Sequence, residues 1–496
     1  MATWNTAVIR ELLSRALDPG ELRTLCFDDP ELRPALDRFS DGMGKDRMIQ
    51  RLIEYCARRE LMDTLLQRVQ EMNPRQYANY AGRLHRAGPG DPSPIPPEAT
   101  APPVPESEEE ASESYFDVQI RIQGLDAATR AYPVEIRLAN GSHFEGGALR
   151  LDRDLLAASE QDPQRYGHLL FEALFDSPLL GAYHQAVAYA DLQCEGRLRI
   201  RLWIDHAAAE LHAVVWERIH HSVQGMSLPV AAAAKTPFSR YIGLQARDPA
   251  PIAERPIRML FVVSNPSDIG GEGVAPLEVE QEIETLADAL GDLNGTDMLR
   301  VTCMPGRSGV SDSLRQRLER EGYQLRDGAA SMDHILKTLS QDDGCHVLHF
   351  LGHGQFNPRW QRAELLLEDG QGQTAHVTDD RVAALLTSTD SPLSLIFLAA
   401  CKSARRSEAN PNPFVGLAPK LVQVGVPAVV AMQDTIPMPT ARRLTREFYR
   451  YLLAHGVVDR AMNQARLLLF QSGGADWATP VLFTRLKEGR LFAASR

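Results

Sequence analysis

Two periodicities divide the chain. Up to residue 85, apolar side chains recur at helical spacing; from residue 116 they alternate or run in short blocks. Val8, Leu12, Leu13 and Leu17 predict a first helix, and Asp18 with Pro19 reads as the cap and first position of a second, with Leu22, Leu25 and Cys26 on one face. A short helix over 32–39, an amphipathic one carrying Met48, Ile49, Leu52, Ile53 and Cys56, and a last one carrying Leu61, Leu65, Leu66 and Val69 follow, the last ended by Asn73-Pro74. Residues 1–85 therefore predict a small all-α bundle. Residues 86–114 hold eight prolines and the acids Glu106, Glu108, Glu109, Glu110 and Glu113, with almost no large apolar groups. Such a stretch cannot bury enough surface to offset its ordering entropy, so it reads as a semi-stiff linker.

Over 115–250 the pattern is α+β. Phe116, Val118, Ile120 and Ile122 alternate, Val134, Ile136 and Leu138 form a second strand, a helix covers 166–175, and a strand over 198–204 leads to 215–219. From 251 to 496, apolar strands alternate with helices. Strands are predicted over 257–263, 299–303, 345–351, 365–367, 393–399, 428–432 and 480–483. Helical stretches are predicted over 277–290, 311–339, 378–387, 414–424, 440–454 and 458–470. That alternation predicts a mainly parallel sheet covered on both faces.

Composition narrows the function classes. The net charge of −12 over 496 residues argues against nucleic-acid binding by bulk electrostatics. The six cysteines (26, 56, 194, 303, 345, 401) are scattered without a C-x-x-C pair, as thiols of a reducing compartment are. No zinc or other metal site is legible; His206, His212, His220 and His221 match no ligand spacing and read as surface histidines. The N-terminus lacks a basic region followed by an apolar run, and no stretch is long and apolar enough to cross a membrane, so the expectation is a soluble cytoplasmic protein without a membrane partner. Gly270-Gly271-Glu272-Gly273 lacks the Gly-Lys-Ser/Thr that completes a phosphate loop.

Two predicted strands end at reactive groups: His349-Phe350-Leu351-Gly352-His353-Gly354 and, 48 residues on from His353, Ala400-Cys401-Lys402-Ser403. In an open α/β sheet the working groups lie past the carboxyl ends of the strands. Cys401 is the candidate nucleophile and His353 the candidate base. Gly352 and Gly354 predict a tight turn that aims the imidazole. The amides of Gly354 and Cys401 are candidates for an oxyanion hole. Gln433 and Asp434 end the next strand and are candidates for the pocket that takes the residue before the cut; Asp434 there favours a basic residue, a neutral pocket an aliphatic one. His349 lies on the same side as His353 but roughly 13 Å away along an extended strand, and reads as structural, as does His346.

The H-x-x-G-H-G strand end and the later Cys401-Lys402-Ser403 resemble the caspase-like clan, and more closely its bacterial CHAT branch. Phe171-Glu172-Ala173-Leu174-Phe175, Val215-Trp216-Glu217 and Asp476-Trp477-Ala478-Thr479-Pro480 extend the resemblance over 115–490. The caspase signature Gln-Ala-Cys-x-Gly is absent, which disfavours a true caspase. Arg23-Thr24-Leu25-Cys26-Phe27, then Gly44-Lys45, then the Arg-rich helix to Arg59-Glu60 resemble bacterial effector-associated, death-fold-like adaptor domains.

The resemblance implies an α/β caspase-like parallel-sheet catalytic domain (251–496), preceded by an α+β, pseudo-caspase-like scaffold region (115–250) and the all-α bundle (1–85). It implies a Cys–His dyad without a third acid and without a cofactor. Some arginine-specific relatives carry an acid two residues before the cysteine; here that position is Ala399. The activity implied is a cysteine endopeptidase acting on a protein substrate, a gasdermin-like pore former among the targets. The helical domain would recruit it to a sensor or adaptor bearing a matching domain, in bacterial defence or cell death. Two other readings stay open from sequence: a catalytically inactive scaffold that acts as a signalling assembly module, and a hydrolase of a non-peptide acyl substrate.

Overall fold

In the computed structural model the described residues are 114–496, except 224–225, 245–246, 342–343, 358, 360–361, 389–390, 401–412, 435, 474–475 and 495–496. Before 114 they are 4, 8–10, 12–13, 17, 19–29, 32–38, 45–59, 61–74, 77, 80 and 84. The chain divides into two compact units, Met1–Glu108 and Glu109–Arg496.

The first unit contains helices α1 (Pro19–Asp28), α2 (Lys45–Arg59) and α3 (Met62–Met72). Leu12, Leu13, Leu22, Cys26, Ile49, Leu52, Cys56, Leu65 and Val69 are all fully buried in one cluster, so the face marked by sequence spacing is the face that packs. The helix expected over 32–39 is only a 3-10 segment, Arg33–Arg38, in which Pro34 supplies no amide donor. The proposed linker lies mostly outside the described residues. Limited proteolysis of the full chain is expected to cut first within 86–114; a first cut inside 115–490 would contradict the linker reading.

The second unit runs β1 (Phe116–Ile122), β2 (Tyr132–Leu138), β3 (His143–Leu149), α4 (Arg153–Ala158), α5 (Pro163–Leu174), α6 (Ser177–Gln193), β4 (Leu198–Ile204), β5 (His220–Val223), β6 (Met226–Pro229) and β7 (Phe238–Tyr241). It continues with β8 (Ile257–Val263), α7 (Val279–Leu290), β9 (Leu299–Met304), α8 (Asp312–Arg320), β10 (Gln324–Leu325), α9 (Met332–Ser340), β11 (Val347–Asn357), β12 (Arg362–Glu368), β13 (Thr374–Thr378) and α10 (Asp379–Thr387). It closes with β14 (Leu395–Ala400), α11 (Pro413–Gln423), β15 (Ala428–Met432), α12 (Met438–His455), α13 (Val458–Gln471) and β16 (Pro480–Thr484).

One 14-stranded sheet carries the unit, in the order β10-β9-β8-β11-β14-β15-β16-β7-β4-β1-β2-β3, with β12 and β13 branching from β11. Pairing is parallel from β10 to β15; β16 runs antiparallel to β15 and parallel to β7. The strands of 115–250 and those of 251–496 therefore share one ladder, joined at β16 and β7. The buried strands alternate between two cores. Ile257, Met259, Phe261 and Val263 of β8 enter one cluster and Leu260 and Val262 the other; β14 divides the same way, Leu395 and Phe397 against Ile396 and Leu398.

Several predicted elements differ. The stretch over 311–339 is two helices separated by β10; Gly322 (φ 81°) takes the chain out of the first helix. The strand expected over 365–367 is the middle of a longer β12. Helix α6 and strands β3, β7 and β13 are additional to the predicted elements. The buried face of α6 includes Ala182, Ala186 and Ala190, too small to stand out as a stripe.

Candidate active site

β11 changes partners part-way along. Val347 to Gly352 pair in parallel with Leu395 to Ala400 of β14. From His353 to Asn357 the strand pairs antiparallel with β12 instead, His353 opposite Leu366 and Gly354 opposite Leu365. His353 is thus the first residue beyond the parallel ladder, at the carboxyl rim of the sheet. It is 1% exposed, and burial pushes its imidazole down to about 4, so at neutral pH the ring is uncharged and has a nitrogen able to take a proton.

The tight turn expected around the imidazole is not formed. Gly352 and Gly354 lie in β11 and neither is among the residues with positive φ, because β12 offers a ladder on which the strand continues. Gly352 is needed for room: a Cβ there would lie 2.6 Å from Cζ of Phe350 and 3.4 Å from Cβ of Ser264. Ser264, which follows β8 and is fully buried, donates its Oγ–H to the carbonyl of Leu366, the residue opposite His353 (3.2 Å).

Glu368, at the end of β12, has no signal in the sequence pattern. It is fully buried, and its carboxylate accepts the backbone N–H groups of Asn265 (3.2 Å), Arg307 (2.7 Å) and Ala330 (2.8 Å). One side chain so ties the loops after β8 and β9 and the entry to α9 to the β12 end. Gly306 (φ 70°) leaves space for that carboxylate. Glu368→Gln would turn an NH2 group towards amide donors. It is expected to lower stability by about 2–4 kcal/mol, read as a lower urea midpoint; an unchanged midpoint would refute the assignment.

Cys401 lies outside the described residues, directly after the last residue of β14. Gln433 is 5% exposed; its N–H donates to the carbonyl of Thr479 (2.9 Å) and its amide Nε2 to Glu217 Oε2 (2.8 Å). Its side chain is turned into the protein, while Asp434 beside it is half-buried. His349 is buried, stacked on Phe397 (centroids 4.5 Å apart) with Nδ1 3.0 Å from the Tyr449 hydroxyl, and burial pushes it down to about 3. His346 precedes β11 and accepts the Arg258 N–H on Nδ1 (3.1 Å).

Three of the four histidines expected at the surface are not there. His220 is 3% exposed with Nδ1 2.7 Å from the Arg218 carbonyl, His221 is half-buried 2.7 Å from the Tyr183 hydroxyl, and His212 is half-buried and pushed down to about 3. Only the His206 side chain is exposed, at 88%. Among the described residues one group has metal-ligand spacing, Glu135, His143 and Glu145. Arg121 (3.5 Å) and Arg137 (3.3 Å) already neutralise Glu135 there, which disfavours a cation. Among the described residues no helix is long and apolar enough to cross a membrane.

A family model, the CHAT domain, matches residues 164–484. The chain belongs to the CHAT family. The match runs from α5 to the end of β16, so it includes β4 and β7 of the far side together with β8 to β16, but not β1 to β3. The mixed, largely parallel sheet with helices on both faces is the caspase-like α/β fold expected from sequence, with α+β strands on its far side and an all-α bundle before it. A second model, Effector-associated domain 7, matches residues 9–74, the helical bundle. Among solved structures, the complex of Porphyromonas gingivalis RgpB pro- and mature domains is similar at 10% identity and a TM-score of 0.32, covering 63% of this chain and 70% of that chain. The Saccharomyces cerevisiae separase–securin complex is similar at 10% identity and a TM-score of 0.30, covering 67% of this chain and 19% of the matched chain. No curated protein matches.

Proposed function

We propose that this CHAT protein is a cysteine endopeptidase in which Cys401 attacks the scissile carbonyl and His353 moves the proton. The observation that carries the reading is strand register. Gly352 opposes Ala400 at the last rung of the parallel ladder, so His353 and Cys401 are each the next residue in sequence after a paired position at the same rim. On the neighbouring strand Leu398 opposes Ala431, and Asp434 follows Ala431 by three residues in sequence, as Cys401 follows Leu398. Groups level with one another on adjacent parallel strands share a face.

His353 takes the proton of the Cys401 thiol, and the thiolate adds to the carbonyl carbon. The amides of Gly354 and Cys401 receive the oxyanion. The imidazolium then gives its proton to the leaving amine, and water releases the acyl group from sulfur. Asp434 lines the pocket for the residue before the cut and selects a basic side chain. The helical domain docks on a matching domain of a sensor or adaptor, and the cleaved protein, a gasdermin-like pore former, belongs to a cytoplasmic bacterial defence circuit. Substrate-profiling digests with wild type and Cys401→Ala test the reading. Peptides cut only by the wild type, with Lys or Arg before the cut, are expected; identical digests would overturn it.

A further inference from the structure

Glu217 is a buried acid that the chemistry above does not use. It lies in the 3-10 turn Trp216–Arg218, within Val215-Trp216-Glu217, and is 0% exposed. Arg240 of β7 donates to it with both arms of the guanidinium, Nε to Oε1 (3.1 Å) and Nη2 to Oε2 (2.7 Å). Arg240 also holds the carbonyls of His212 (2.7 Å) and Val214 (2.9 Å). Arg466 of α13, also fully buried, comes to 4.0 Å of Oε1 and donates to the carbonyl of Pro480 (2.7 Å). A carboxylate held by a two-pronged guanidinium in the core has one orientation. That orientation leaves Oε2 to receive Gln433 Nε2 at 2.8 Å.

Gln433 follows the last residue of β15 and precedes Asp434. Both lie in the bend that follows the strand. Gln433 is the point at which the chain leaves β15, so a Gln433 side chain held inward by Glu217 fixes the start of the bend in which Asp434 follows. The second backbone anchor, Gln433 N–H to Thr479 O (2.9 Å), fixes the same point.

We infer that Glu217 is a positioning residue for substrate selection: through Gln433 it sets where Asp434 stands at the rim. Gln433 is then a strut and not a pocket contact. This rests on the protease reading for its substrate but not for its geometry. It also gives the strands before residue 250 a part in selecting the substrate, since both Glu217 and Arg240 come from that part of the chain.

The test replaces Gln433 rather than Glu217, because removing the acid would strand Arg240 and Arg466 as buried charges. Gln433→Met keeps the volume and removes the bond; Gln433→Asn keeps an amide too short to reach Glu217. Both are measured against wild type for kcat and KM on a peptide substrate, for residue preference before the cut, and for amide hydrogen exchange around Asp434. The expected result is a KM raised about tenfold with kcat within about twofold, a broadened preference, and faster exchange around Asp434. An unchanged KM and preference, or a fall in kcat at constant KM, would overturn the inference. Failure of both variants to fold would assign the contact to holding the sheet and overturn it equally. If the wild type shows no Cys401-dependent cleavage, the protease reading fails. The exchange measurement then still decides the positioning role on its own: unchanged exchange rejects it and faster exchange upholds it.

Discussion

Cys401→Ala is expected to abolish peptide cleavage, lowering kcat/KM by about 10⁴-fold or more, and to leave the thermal midpoint within a few degrees of wild type. His353→Gln is expected to produce a loss of the same order, because a thiol without its base is a poor nucleophile at neutral pH. The double variant is expected to be no worse than either single one if the two groups act as one unit. Glutamine is the better replacement at position 353, where the side chain is 1% exposed and alanine would leave a cavity. Losses that multiply in the double variant would show that the two residues act separately. Cleavage retained by both single variants would leave the dyad without a catalytic role.

Acid is expected to unfold the second unit well before it titrates the site. Burial holds His212 and His349 at about 3 and His346 and His353 at about 4, against an ordinary value near 6.5. His346 is lowered by the Arg258 charge as well. A histidine whose folded-state value is depressed stays neutral in the folded chain while the unfolded chain takes up a proton. Folded stability is therefore intact above about pH 6.5 and falls as pH drops towards 4. Four such groups give a slope of about 5 kcal/mol per pH unit between roughly pH 6 and 5. Asp117, raised by burial, works in the opposite sense, while His220 and His221, lowered by burial, work in the same sense as the four. With a typical stability of about 5–15 kcal/mol, the unit is expected to unfold near pH 5. Urea midpoints at pH 7.5, 6.5 and 5.5 check this; a midpoint constant down to pH 5.5 would refute it. Loss of cleavage on the acid side then follows unfolding, not protonation of a folded His353.

What is legible in the sequence follows from local pattern. β8 reads as Ile257–Val263 because it is an apolar run broken only by Arg258, and the α2 face reads from Met48, Ile49, Leu52 and Ile53 because it is helical. The H-x-x-G-H-G motif marks His353, and the family match agrees with the resemblance drawn from it. What is not legible depends on partners far along the chain. Nothing near Gln433 announces Glu217, 216 residues earlier. Nothing near Leu365-Leu366-Leu367 says that the next acid will gather amides from three separate loops. The continuation of β11 past Gly352 is set by β12, not by the glycines. The buried His220, next to His221 in sequence, is enclosed only by the tertiary fold.

The ladder that joins β16 to β7 limits how the chain can be shortened. A fragment begun after Ala250 to isolate the chemistry would strip one side of β16, leaving the backbone beside Phe483 and Thr484 as an open edge for the next molecule to pair with. It would also remove Glu217 and Arg240 and leave Arg466 as an uncompensated cation in the core. The smallest soluble piece that keeps the chemistry therefore begins upstream of β1.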